Sequence, residues 1–117
     1  MSQRFSRFVS VMGMILLGGM IACASPVESP TGAEVYALNC QGCHGAMGQG
    51  GLASALASPL YLSAHDDMEI THAIREGVPG TMMRAWSVSK GGPLTDKQIA
   101  DTVAYLRSRG SITAPVR

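Results

Sequence analysis

The sequence predicts an all-α domain of three or four helices joined by long loops. Three observations lead there. Thr or Ser, followed three residues later by an acidic residue or glutamine, precedes each apolar run at helical spacing, in the manner of a capping box. No stretch alternates polar and apolar residues as a half-buried strand does. Between the helical segments lie glycine-dense runs, with four glycines in 45–51 alone (Gly45, Gly48, Gly50 and Gly51).

The 117 residues leave room for one domain. Residues 1–23 read as an export signal. Arg4 and Arg7 form a positive start, and Phe8 to Ala22 form an apolar stretch shorter than the roughly 20 residues a spanning helix needs. Residues 24–30, rich in Ser and Pro, read as a tether. The domain proper is expected at 31–110. Thr31 caps a helix running to about Gln41, with Glu34 completing the box. Residues 52–60 have room for a helical turn ended by Pro59. A further helix is signalled at Ser63 with Asp66, has Ile70, Ala73 and Ile74 facing inward, and stops at Gly77. After the irregular stretch 78–94, Thr95 and Gln98 open the clearest helix, in which Ile99, Val103 and Leu106 repeat and Gly110 is the expected stop. Residues 111–117 form a tail. Loops this long need something to organise them, as a bound cofactor does.

Without residues 1–23 the chain keeps four aromatics (Tyr36, Tyr61, Trp86 and Tyr105) and seven Lys/Arg against eight Asp/Glu. Such a domain is short of large apolar side chains. It also lacks the basic surface that nucleic acid binding requires.

The chemistry is concentrated in Cys40-Gln41-Gly42-Cys43-His44, the C-x-x-C-H spacing of covalent c-type haem attachment. Two thiols three residues apart reach two vinyl groups on one porphyrin edge, and the next imidazole lies under the ring, where it binds iron. A structural zinc site normally asks for four ligands and has no second cysteine pair here. A dithiol redox motif expects a βαβ setting, which is missing. The expected cofactor is therefore one covalent haem c.

On these residues the chain resembles the class I cytochromes c in their small bacterial form. The segments Gly32–Gly45 and Leu94–Arg107 look like that family's first and last helices. The resemblance implies the cytochrome c fold wrapped around one haem. Gly32, Tyr36, Tyr105 and Leu106 fall where the two helices meet, and Thr102 stands where a larger apolar residue is common. Gly80-Thr81-Met82-Met83-Arg84-Ala85-Trp86 matches the segment carrying the second iron ligand. Aligned on Thr81 and Trp86, the match makes Met83 the ligand; Met82 is second choice, with His65, His72, Met47 or an open site behind it. Two departures stand out: Arg84 replaces a usual proline, and the loop after His44 lacks the proline whose carbonyl often holds the ligand imidazole. Arg84 and Trp86 are candidate contacts for haem propionates. The remaining residues have plainer readings. His65 and His72 are expected at the surface, Met68 and the unbound methionine as core filler, and Asp66, Asp67 and Glu69 as helix-dipole partners.

Met20-Ile21-Ala22-Cys23 resembles a bacterial lipoprotein signal, with cleavage before a lipid-bearing Cys23; ordinary cleavage after Ala24 is the alternative. The expected location is the periplasmic side of a bacterial membrane, held by a lipid anchor or else soluble. A haem ligated by His and Met implies a one-electron carrier in a respiratory or photosynthetic chain, exchanging electrons with redox partner proteins and having no catalytic residues of its own. The alternatives are a subunit bound in a larger oxidase or dehydrogenase and, behind it, a ligand-sensing haem protein.

Overall fold

Thr31 and Glu34 cap each other as anticipated, backbone to side chain in both directions, and open α1 (Gly32–Asn39). The computed structural model describes Pro26 and residues 28–113; residues 1–23 with Cys23, and the end of the 111–117 tail, lie outside them. Pro26 and Glu28–Pro30 have no regular secondary structure.

The first helix does not run on to Gln41. Cys40 departs from ideal helical geometry (φ −117°, ψ −37°) and restarts the chain as the single turn α2 (Gln41–His44). Pro59 does not end a helical turn but begins one, α3 (Pro59–Ala64). Ser58 accepts from the Tyr61 amide as its cap, and proline suits the first turn because its missing N–H has no helical partner there. Ser63 accordingly lies inside α3. The cap of α4 (Asp67–Glu76) is Asp66, boxed with Glu69. The sequence offers two overlapping boxes, Ser63/Asp66 and Asp66/Glu69, and the aspartate cap is the one used. After a short 3₁₀ turn (Val88–Lys90), Thr95 and Gln98 exchange the expected capping bonds ahead of α5 (Asp96–Thr113).

Gly110 does not stop α5. It is a buried residue within the helix, where a Cβ would stand 2.1 Å from Leu62 Cδ1. Its role is close approach of α5 to α3. Gly32 acts likewise between α1 and α5: a Cβ there would meet the Asp101 carbonyl oxygen at 2.0 Å. Beside that contact Tyr36 and Tyr105 tilt against each other, with centroids 5.4 Å apart. Val35, Tyr36, Ile70, Ile74, Leu94, Ile99, Val103 and Leu106 form the core shared by α1, α4 and α5. Each fully buried large aliphatic contributes roughly 1.5–3 kcal/mol. Thr102 sits in this interface and satisfies its hydroxyl on the Gln98 carbonyl. Among the described residues the one β-bridge is an isolated pairing of Ser87 with Leu94, and no helix is long and apolar enough to cross a membrane.

Candidate functional site

A cleft of about 460 Å³ opens between the C-x-x-C-H turn, the loop after it, α4 and the segment 78–86. Its walls are mainly apolar: Leu52, Leu56, Ile70, Ile74 and Leu106 contribute, with Tyr36, Tyr61 and Trp86. Cys40, Cys43, His44, Met82, Met83 and Trp86, six residues singled out from the sequence, all line it. Arg84 does not line it. Its guanidinium lies over the Trp86 ring, 4.5 Å from the centroid.

The loop after His44 is shaped around that imidazole. Gly50 N–H donates to the His44 carbonyl (2.8 Å) and Ala53 N–H to the Cys43 carbonyl (3.0 Å), folding the chain back over the motif. Gly50 adopts φ +93°, a region open to glycine at no steric cost. The turn delivers the Ser54 carbonyl oxygen to 2.9 Å from His44 Nδ1. A main-chain carbonyl thus does what the absent proline was expected to do, and it leaves Nε2 as the nitrogen available to a metal. Tyr36 Oη donates to the Gly45 carbonyl (2.7 Å) and ties the turn back to α1.

Met83 is held from the other side. Val78 N–H donates to the Met83 carbonyl (2.9 Å), Thr81 Oγ1 donates to the Val78 carbonyl (2.7 Å), and Met83 N–H donates to Thr81 Oγ1 (3.1 Å). Gly77, at φ +75°, lets this loop close onto the end of α4, where a Cβ would stand 2.7 Å from the Met83 oxygen. Trp86 N–H then donates to the Ile74 carbonyl (2.9 Å) and returns the chain to the core. Met83 is half-buried against the core, whereas Met82 is 98% exposed. Met82 is therefore not core filler, and neither is Met68, which is 78% exposed on α4. His65 and His72 are exposed, as expected.

Burial, reinforced by the neighbouring Cys43, pushes the Cys40 thiol up to about 11. A dithiol redox pair works through a depressed thiol pKa, so the setting is wrong for one. Among the described residues no three His, Cys, Asp or Glu side chains converge as a metal cluster, and a structural zinc site has no ligand set there. A flat hydrophobic cofactor anchored through sulfur and ligated by one oriented imidazole does fit the donors and the apolar walls.

Residues 28–106 match the family model described as cytochrome c oxidase, cbb3-type, subunit III. The chain belongs to this c-type cytochrome family. Its cofactor is covalently bound haem c, and its kind of domain transfers electrons between redox partners. Among solved structures the chain is similar to the c-type cytochrome NirC, at 25% identity and a TM-score of 0.56 over 66% of this chain and 85% of NirC. It shares its fold with cytochrome CL from the marine methylotrophic bacterium Methylophaga aminisulfidivorans MPT. That likeness has 24% identity and a TM-score of 0.56, over 71% of this chain and 58% of cytochrome CL. The all-α cytochrome c fold expected from the two end helices is the fold found.

The Ser54 carbonyl and the wall residue Tyr61 escaped the sequence reading. A main-chain acceptor has no side-chain signature, and Tyr61 was assigned to no site because α3 itself was not anticipated.

Proposed function

We propose that this cytochrome is a one-electron carrier whose haem is joined to Cys40 and Cys43 and ligated by His44 and Met83. The observation that supports it most is the 2.9 Å contact between His44 Nδ1 and the Ser54 carbonyl, in a cleft that Cys40, Cys43 and Met83 also line. In attachment each thiol adds across a vinyl group, sulfur to one carbon and hydrogen to the other. The bound haem supplies reversible one-electron exchange at iron. The residues do the rest. Ser54 fixes the His44 tautomer and ring orientation and raises the basicity of Nε2. The Gly77–Trp86 loop presents the Met83 thioether, and the apolar walls exclude water. Held by His44 and Met83, the haem would exchange electrons with little ligand rearrangement and would offer a substrate no free position.

Residues 1–23 are proposed to direct export, with lipid on Cys23 and 24–30 as the tether to a domain at 31–110. This places the carrier on the periplasmic side of a bacterial membrane, in a respiratory or photosynthetic chain. Intact mass of the native protein tests attachment and lipid together. One added haem that is lost in a Cys40→Ala, Cys43→Ala double variant supports the attachment; an unchanged apoprotein mass counts against it.

The family description supports a second reading, a subunit held in a larger oxidase. Size chromatography of gently solubilised native protein separates the two: elution with other polypeptides favours the subunit, elution alone the free carrier.

A further inference from the structure

Arg84 stands where the family resemblance leads one to expect proline, and its surroundings are unusual for a surface cation. Arg75 pairs with Asp96, Lys90 with Glu76, Lys97 with Asp101 and Arg107 with Asp67. Among the described residues Arg84 has no carboxylate within ion-pair distance; its contact is the face of Trp86. Trp86 in turn is fixed at both main-chain groups, its N–H donating to Ile74 and its carbonyl accepting from Leu94 N–H (2.9 Å each). Gly92 packs directly on its backbone, where a Cβ would stand 2.2 Å from the Trp86 oxygen. The Trp86 main chain is thus held on both sides. It lines the cofactor cleft, and the Arg84 guanidinium rests on its ring in a cation–π contact.

We propose that Arg84 is a tuning residue: its positive charge, stationed on Trp86 at the cleft wall, raises the reduction potential of the holoprotein. Reduction lowers the charge of the iron centre by one, so a nearby cation stabilises the reduced state more than the oxidised one. The Trp86 face keeps the guanidinium in place, while its exposure to solvent lets salt screen it. The inference rests on the proposed haem site but not on which methionine is the ligand.

The test is a potentiometric titration of the holoprotein with Arg84→Lys, Arg84→Gln and Arg84→Glu, each checked for the weak red-end absorption band of a thioether-ligated oxidised haem. The midpoint is expected to stay near the parent value in Arg84→Lys, to step down in Arg84→Gln, and to step down again in Arg84→Glu, with the band kept throughout. The steps are expected to shrink as salt is raised. Equal midpoints in the parent and Arg84→Gln overturn the proposal. So does a fall in Arg84→Lys as large as in Arg84→Gln, which assigns the effect to stacking. Loss of the band in Arg84→Gln also overturns it, since Arg84 would then act by holding Met83. Absence of the band from the parent protein is a different failure, of the His/Met ligation and not of the charge effect.

Discussion

His44 Nδ1 lies 2.9 Å from the carbonyl oxygen of Ser54, at the tip of a loop that leaves the motif and folds back over it. The contact is made by main chain, which separates the identity of residue 54 from its function. Ser54→Ala is expected to leave the visible spectrum and midpoint unchanged. Gly50→Val forces a β-branched residue to φ +93° and crowds Ala55 N at 3.2 Å. It is expected to destabilise the holoprotein by about 2 kcal/mol, read by thermal unfolding, and to raise the reduction midpoint, read by titration, because a less basic Nε2 stabilises oxidised iron less.

Gly32 has no room for a side chain against the Asp101 carbonyl. Gly32→Ala is expected to force α1 and α5 apart at a cost of about 3 kcal/mol, measured as a lower unfolding midpoint in denaturant.

Those two elements mark how far the sequence could be read. Capping boxes at Thr31/Glu34 and Thr95/Gln98 are local chemistry, and they opened the helices where anticipated. Helix ends set by tertiary contact were not local. Gly110 looked like a stop because glycine so often is one, yet its missing Cβ serves Leu62 on a neighbouring helix. Pro59, expected to end a turn, begins one instead, because Ser58 caps the helix that follows. The cysteines, His44 and the methionine pair stood out because their side chains carry chemistry, and all of them line the cleft; the Ser54 carbonyl did not, because any residue has one.

Tyr36 is 1% exposed and donates to Gly45. Burial above all pushes its hydroxyl up to about 12 from an ordinary 10.0. The folded state therefore holds this proton more tightly than the unfolded chain. The resulting stabilisation is full below about pH 10 and is lost as pH rises towards 12. Tyr36→Phe is expected to cost about 1 kcal/mol at neutral pH through the lost hydrogen bond. Stability against pH should then show a flatter alkaline limb than the parent.

Arg107 clamps the α3–α4 junction to α5. Its guanidinium donates to the carbonyl oxygens of Leu62 and His65, while Nε pairs with Asp67 at 2.6 Å. Arg107→Lys keeps the charge but loses the fork geometry. It is expected to lower stability by about 2 kcal/mol in thermal unfolding while leaving the absorption spectrum unaltered.

The central claim is that Met83, half-buried in the loop closed onto α4, completes the haem site with His44, and that the 98% exposed Met82 does not. The visible spectrum of the oxidised holoprotein tests it. The weak red-end band is expected to vanish in Met83→Ala and to persist in Met82→Ala. A band kept in Met83→Ala and lost in Met82→Ala contradicts the account.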